Sequence, residues 1–453
     1  MGNTMSSRSK PTLSEDPFPL LIDKIVAGGL GLGRHEGQVV FVLRSAPGDR
    51  LLVEPLERRR DFVRAQTVEI LEASPLRREP PCHYFQSCGG CSLMHLQPEA
   101  QREAKRGILL ESLRRGGGVP FTGDVLVRSG PELGYRVRAR FHVKSARRGT
   151  LVGFYEPGSH RVVDIDECLQ ISDEANRVLR EIRSFLAESP RRVSEIESFE
   201  LVEPVAPRDA AKARAGGRVV VHFIVKKGKG PARSELEELV QRADLGGLVV
   251  GRSGFEASAR DMRRVGEVRT LHQVAGYELG ATVHAFFQAN RFLLEALVDE
   301  VVAVEPGRVG NAVDLYSGVG LFSLPLARSA DRVVGVEISA AAVADARLNA
   351  RRATIENVDF LEERAASYAA REGFESVDLV LADPPRPGLE RAVVDALCRR
   401  PPKELRYVSC DPASLGRDVG RLREGGLELV RLVLLDFFPN THHLESVATF
   451  RLR

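Results

Sequence analysis

From Tyr135 to Phe141 apolar residues alternate strictly with Arg136, Arg138 and Arg140, so a period of two places three arginines on one face of a strand. The apolar face is expected to meet a core, and the arginine face either an anion or acids of a neighbouring strand. Upstream, short apolar runs at 20–26, 39–43, 51–56 and 62–70 are separated by Gly28, Gly29, Gly31 and Gly33 and by Ala46-Pro47-Gly48-Asp49. Closely spaced runs with such turns predict a small barrel of the OB kind. Pro98 is suited to start a helix and Gly116, Gly117 and Gly118 to end it, with Leu109, Leu110 and Leu113 as its apolar stripe. The stretch 151–270 mixes strand patterns such as 219–225 with helical ones such as 234–242 and reads as α+β. From Gly276 the pattern becomes regular: apolar strands at 312–315, 333–336, 377–382 and 405–409 alternate with helical segments, which predicts a largely parallel, doubly wound sheet.

These patterns make a multidomain α/β protein, and a chain of 453 residues is too long for one ordinary core. The expected division is a flexible tail at 1–15, the barrel at 16–75, a central α+β domain at 76–275 and a Rossmann-like domain at 276–453. The helix at 98–115 is expected to pack on the last of these. Hydrophobic content of 43% and charged content of 28% fit a globular protein, and no apolar run approaches the length of a membrane span. Three of the six cysteines crowd between Cys82 and Cys91, unlike a secreted disulfide scaffold, so a reducing compartment, the cytoplasm, is expected. The net charge of +3 hides an uneven distribution: between Gln101 and Arg148 twelve Lys and Arg stand against four Asp and Glu. Such a stretch fits either a phosphate backbone or a solvated basic surface.

Ligands of open α/β sheets bind at the carboxyl ends of the strands. Asp314, Glu337, Asp383 and Cys410 sit at or just beyond four predicted strand ends. Asp314-Leu315-Tyr316-Ser317-Gly318-Val319-Gly320 forms a turn that a ligand can approach closely. A dinucleotide fingerprint would need a third glycine, but Ser323 stands there. Glu337 ends the next strand, where an acid accepts from ribose hydroxyls. A Gly-rich turn with a ribose-binding acid and no pyrophosphate site is what S-adenosylmethionine requires. Cys410 follows Arg406-Tyr407-Val408-Ser409 and precedes Asp411-Pro412, where a partly exposed thiol could be activated by a cation such as Arg386; the plainer reading is a small buried hydrophobe. Cys82, Cys88, Cys91 and the distant Cys168 suit zinc or an iron–sulfur cluster, and spacing alone leaves both open. Cys398 falls on a predicted helix and reads as core.

Cys410 in Val-Ser-Cys-Asp-Pro, Asp383 in Asp-Pro-Pro-Arg-Pro-Gly, Gln288 in Phe286-Phe287-Gln288-Ala289-Asn290 and Glu445 in His443-Leu444-Glu445-Ser446 resemble the S-adenosylmethionine-dependent RNA 5-methyluridine methyltransferases. The resemblance covers nearly the whole chain: the front barrel looks like that family's TRAM domain, and Gly153-Phe154-Tyr155 through Cys168 resembles the segment with its last cluster cysteine. It implies Cys410 as the thiolate that adds to uracil C6, and Glu445 as the base that removes the C5 proton. It also implies Gln288, Tyr316, Gly318, Glu337 and Asp383 as cofactor-binding residues. The cysteines resemble the [4Fe-4S] ligands of the ribosomal branch, which implies 23S ribosomal RNA as the partner, with transfer RNA as the alternative and no obligate protein partner or membrane. A different class, a noncatalytic iron–sulfur RNA-binding protein or RNA chaperone, would keep the fold and lose the thiol chemistry. Leu321, where Asn is common, and Arg364, where Asn or Asp often contacts the cofactor, depart from the family pattern.

Overall fold

The computed structural model describes residues 16–118, 120–147, 149–206, 218–226, 230–251, 262–303 and 309–453. The tail expected at 1–15 lies outside them, as does Arg148. The chain divides into two compact units: residues up to Pro81 with Cys91–Ile108 and Asn440–His442, and Cys82–Gly90 with Leu109–Pro439 and His443–Arg453.

In the first unit β1 (Phe18–Val26), β2 (Leu30–His35), β3 (Gln38–Leu43), β4 (Arg50–Arg58) and β5 (Phe62–Glu72) close a barrel in the order β1-β2-β3-β5-β4. Leu20, Ile22, Val40, Val42, Leu51, Val53 and Val63 fill its interior. The sequence pattern assigns Gly31 and Gly33 to turns, whereas both lie inside β2. A Cβ on Gly31 would come within 1.9 Å of Ser45 Oγ, and one on Gly33 within 2.2 Å of the Leu21 carbonyl oxygen. Here glycine permits the Ser45 side chain and the Leu21 backbone to pass close, a use that an apolar-run reading mistakes for a break. The helix α1 (Pro98–Gly117) starts and ends where Pro98 and the glycines predict.

After α1 the chain forms β6 (Val125–Arg128) and then a seven-stranded sheet. Its strands are β7 (Arg138–Ala146), β8 (Gly149–Tyr155), β9 (Val162–Asp164), β10 (Ile196–Val202), β11 (Val220–Val225), β12 (Gly247–Gly251) and β13 (Arg263–Gly266), in the order β13-β12-β11-β10-β7-β8-β9. The helices α2 (Asp173–Ala187), α3 (Pro190–Glu195) and α4 (Arg233–Arg242) belong to the same region, and Val178, Leu179 and Ile182 of α2 share its core with Phe141, Phe199 and Phe223. The alternation at Tyr135–Phe141 holds, with Tyr135, Val137, Ala139 and Phe141 buried. The arginine face does not wait for an anion throughout. Arg138 donates to Glu200 on β10 at 2.7 Å and to the carbonyls of Val283 and Ala285, and Arg140 donates to Ser198 Oγ at 3.1 Å. The basic stretch is likewise partly neutralised locally, by Arg114 and Arg115 on Glu111 and by Arg128 on Glu300.

A two-stranded ribbon, β14 (Arg269–Val274) with β15 (Tyr277–Thr282), leads through α5 (Leu294–Val302) into the last sheet. That sheet comprises β16 (Val309–Leu315), β17 (Ala330–Glu337), β18 (Val358–Glu362), β19 (Leu379–Ala382), β20 (Glu404–Ser409), β21 (Leu427–Leu435) and β22 (Glu445–Leu452). The interleaved helices are α6 (Ser323–Leu326), α7 (Ala340–Arg352), α8 (Ala365–Glu372), α9 (Arg391–Arg399) and α10 (Pro412–Glu424). The order is β18-β17-β16-β19-β20-β22-β21-β6, so the segment just after α1 supplies the edge strand, which the apolar pattern does not reveal. The strands from β16 to β20 pair in parallel and β22 runs antiparallel between β20 and β21. Strand order reverses between β16 and β19, which opens a crevice at their carboxyl ends. Among the described residues no helix is long and apolar enough to cross a membrane.

Candidate active site

The loops at the reversal carry the candidate chemistry. Asp314 is fully buried near the end of β16, and Ser323 Oγ donates to its Oδ2 at 2.5 Å while Oδ1 has no partner. Burial pushes its carboxyl up to about 7, against the Ser323 hydrogen bond and with added repulsion from Glu337. Tyr316 then turns the chain with φ at 63°, and Gly318 and Gly320 follow at 54° and 89°. This left-handed run lets the Gly318 amide donate to Glu337 Oε2 at 3.1 Å, and the Ser339 amide donates to Oε1 at 2.7 Å. Glu337 therefore anchors the glycine turn through Oε2 and its own following residues through Oε1, and each oxygen retains a lone pair for a ligand hydroxyl. The Tyr316 and Ser317 hydroxyls are buried without a partner. Asp314, Tyr316 and Ser317 thus each leave a buried oxygen without a partner, the Tyr316 hydroxyl toward Glu390 and the Ser317 hydroxyl toward Gly335.

Asp383 follows β19, and its amide donates to the Leu315 carbonyl at 3.4 Å. Its Oδ2 accepts from Gln288 Nε2 at 2.9 Å, which joins the segment after β15 to the crevice. The Asp383-Pro384-Pro385-Arg386-Pro387-Gly388 loop is clamped to α10: Ser414 Oγ donates to the Arg386 carbonyl at 2.8 Å and Arg417 to the Pro387 carbonyl at 2.7 Å. Gly388, at φ 83°, cannot be replaced freely, since a Cβ there would stand 2.5 Å from Asp418 Oδ2. Asp411 caps α10 through the Ser414 amide at 2.7 Å, with Pro412 at its first turn, so Cys410 is the single residue between the end of β20 at Ser409 and the cap.

Strand register supplies the last member. In the antiparallel β20–β22 pair Ser409 lies opposite Ser446, with Ser446 Oγ donating to the Ser409 carbonyl at 3.1 Å. One step beyond on each strand are Cys410 and the buried Glu445. Burial, then the negative charges of Glu445 and Asp383, push the Cys410 thiol up to about 12, and Arg386 only partly opposes them. A net lowering by Arg386, the natural expectation for an activated thiol, is outweighed by burial and two carboxyls. Burial and Asp383 likewise raise Glu445 well above the ordinary carboxylate range against Arg386, and Asp383 is pushed up to about 7 by burial and Asp314. Such a crevice is short of positive charge, which suits a cationic ligand.

The other sulfur-rich region is different. Cys82, Cys88, Cys91 and Cys168 are half-buried and unbridged. Burial raises Cys168 to about 11, with the Gln170 amide opposing and the Cys88 and Cys82 thiols adding to the shift. Amides point at the sulfurs: those of Tyr84 and Phe85 at Cys82, of Gly90 at Cys88 at 3.3 Å, and of Gln170 at Cys168. Neighbouring thiols that repel one another as anions, each with an amide donor aimed at it, suit thiolate ligation of a metal. Among the described residues, no group of three or more His, Cys, Asp or Glu side chains is arranged to hold a metal ion.

A family model described as tRNA (uracil-5-)-methyltransferase matches residues 120–451. The chain belongs to that family. A relative from Alkalilimnicola ehrlichii, named 23S rRNA (uracil(1939)-C(5))-methyltransferase RlmD, is 35% identical over 98% of this chain and 98% of its own. An RNA methyltransferase of Aquifex aeolicus is 32% identical over 97% of this chain and 100% of its own. The solved tRNA (uracil-54, C5)-methyltransferase of Pyrococcus abyssi, in complex with S-adenosyl-L-homocysteine, superposes with a TM-score of 0.73 at 27% identity, covering 96% of this chain and 100% of that one. The two positions expected to depart from the pattern of this tRNA (uracil-5-)-methyltransferase family have different surroundings. Leu321 is buried beside the turn, and Arg364, which precedes α8, donates to Glu390 at 2.9 Å. Ser317 was not singled out from sequence; its signal is a hydroxyl placed next to Gly318.

Proposed function

We propose that the protein transfers a methyl group from S-adenosylmethionine to C5 of a uridine in RNA, with 23S ribosomal RNA as the substrate, through a covalent bond between Cys410 and uracil C6. The observation that carries this reading is the β20–β22 register that sets Cys410 beside Glu445. The names of relatives such as that of Alkalilimnicola ehrlichii support the ribosomal substrate, and the Pyrococcus abyssi likeness favours transfer RNA as the second reading. S-adenosylmethionine supplies an electrophilic methyl group and carries positive charge, which fits a crevice of three raised carboxyls. Glu337 and the Gly318 turn, with Tyr316, would hold its nucleoside end, and Gln288 and Asp383 its reacting end.

Uracil C5 is a weak nucleophile. The Cys410 thiolate adds to C6, and the displaced electron pair makes C5 nucleophilic. After methylation Glu445 takes the C5 proton, the C5–C6 double bond re-forms, and Cys410 leaves as a thiolate. The negative charge that holds the thiol protonated must be offset for the first step, and Arg386 does this in part. A paired target base has to be flipped out or already single-stranded to reach a buried thiol.

We further assign residues 16–75 as a TRAM barrel, 76–275 as a central domain and 276–453 as the methyltransferase domain. Cys82, Cys88 and Cys168, with Cys91 as the fourth ligand by sequence spacing, are proposed to hold a [4Fe-4S] cluster. The protein is then a cytoplasmic enzyme. The test is transfer of labelled methyl from S-adenosylmethionine to RNA lacking the modification, comparing wild type with Cys410→Ala. Equal incorporation in both would end the covalent mechanism, and none in either would favour a noncatalytic RNA chaperone. Metal analysis after anaerobic purification tests the cluster; stoichiometric zinc without iron or sulfide overturns it.

A further inference from the structure

Glu203 stands just past β10 with 9% of its surface exposed, far in sequence from both sulfur sites. Its carboxylate is fully committed. Ser172 Oγ shares its one proton between Oε1 and Oε2 at 2.9 and 2.8 Å, and Arg291 donates to the same oxygens at 3.1 and 2.5 Å. Its amide donates to the Val137 carbonyl at 2.7 Å. Ser172 caps α2 four residues after Cys168, and Arg291 lies three residues after Gln288.

Between these two loops runs Tyr135-Arg136-Val137. On one side the Gly134 and Arg136 amides donate to the Leu169 and Gln170 carbonyls at 2.9 and 2.8 Å. On the other, the Val137 amide donates to the Ala289 carbonyl at 2.9 Å, and the Arg291 amide to the Tyr135 carbonyl at 3.0 Å. Arg136 bridges Ile171 in parallel and Asn290 in antiparallel fashion, so three short segments form one hydrogen-bonded ladder. One outer rail begins at Cys168, and the other begins at Gln288, the partner of Asp383. Glu203 is tied to the side chain that ends each rail and to the backbone of the middle one.

We propose that Glu203 is a positioning residue that locks the Cys168 loop and the Gln288 loop onto Tyr135–Val137, so that the cysteine site and the Gln288–Asp383 contact are held as one unit. The proposal rests on the functional reading for the role of Gln288, but the ladder does not depend on methyl transfer. A carboxylate shared by a serine and an arginine from separate loops fixes their spacing, and misplacement of a binding group by about 1 Å costs up to roughly 100-fold.

The test is a double-mutant cycle of Glu203→Gln and Gln288→Ala in the full chain, read by calorimetric binding of S-adenosylhomocysteine and by amide exchange. Glu203→Gln is expected to weaken binding roughly tenfold, to weaken it no further once Gln288 is alanine, and to speed exchange at the Arg136 and Arg291 amides together. Arg291→Ala should reproduce both effects without adding to Glu203→Gln, and it guards against a folding defect peculiar to one variant. Full additivity with Gln288→Ala, or faster exchange on one rail alone, overturns the coupling. Intact coupled exchange in a protein that moves no methyl would instead overturn the functional reading by itself.

Discussion

Cys410 and Cys168 are both half-buried thiols pushed upward, to about 12 and about 11, yet their neighbours make them opposite kinds of site. Around Cys410 the raising charges are carboxylates, Glu445 and Asp383, and the opposing group is a guanidinium, Arg386. Around Cys168 the raising charges are other thiols, Cys88 and Cys82, and the opposing groups are first a backbone amide from Gln170 and then the Arg136 guanidinium. A thiol among carboxyls has proton acceptors beside it and can enter and leave a covalent bond. Thiols that meet amides and one another repel as anions, and a positive ion is what settles them. A raised thiol therefore says little by itself; the identity of what raises it carries the chemistry.

The largest effects should separate the two sites. Cys410→Ala is expected to lower methyl transfer by at least on the order of 10⁴-fold, measured as label incorporated into unmodified RNA. Glu445→Gln should lose about 10²–10⁴-fold and accumulate a protein–RNA adduct that survives denaturation, visible as a shifted band on a gel. That band must vanish in the double change with Cys410→Ala, since persistence would mean another nucleophile. Cys168→Ser should still form the adduct in the Glu445→Gln background. Its loss there would erase the distinction between the sites.

Next in size is the electrostatic response. Because the reactive form of Cys410 is the deprotonated one and its thiol lies near 12, log(kcat/KM) should climb with pH from 6 to 9 without a plateau. A plateau below pH 8 would mean that the free enzyme already holds a thiolate. Removing an anionic neighbour lowers a thiol and removing a cation raises it. Alkylation of Cys410, read by peptide mass spectrometry between pH 7 and 10, should therefore quicken in Glu445→Gln and slow in Arg386→Ala. One pKa unit corresponds to about tenfold in thiolate at fixed pH. Cys168 should respond to neither change, because neither residue is among the charges that act on it.

Much of the crevice was legible in the sequence because strand ends and turns are local events. Asp314, Glu337, Asp383 and Cys410 each sit where an apolar run stops, and the parallel order then forces those stops to one edge. The pairing of Cys410 with Glu445 was legible only through resemblance, since it depends on the register of two strands whose nearest facing residues, Ser409 and Ser446, are 37 positions apart. The sign of the shift at Cys410 was not legible at all. Arg386 is visible in the motif, whereas burial and the approach of Asp383 are tertiary facts. Gly31 and Gly33 misled for the same reason, because close packing against a strand glycine in a barrel leaves no mark in an apolar pattern. The arginine face was read correctly in period and only partly in purpose, since Glu200 meets Arg138 across a strand pair of high sequence separation.

The smallest effect tests the amide side of the comparison. Gly90 donates its amide to Cys88 Sγ at 3.3 Å, and a Cβ on Gly90 would stand 3.5 Å from that sulfur, an ordinary contact. Gly90→Ala therefore keeps the donor and adds little strain, whereas Gly90→Pro deletes it. A single hydrogen bond contributes about 1 kcal/mol net, roughly fivefold in an equilibrium. If these amides serve a thiolate-bound metal, a chelator should strip iron from anaerobically purified Gly90→Pro roughly fivefold more readily than from wild type, with Gly90→Ala close to wild type. Methyl transfer should change less than metal retention in both variants. Equal retention in all three proteins would remove the amide from the argument and leave Cys88 as a thiol like any other, and with it the claim that the two sulfur sites are built for different ends.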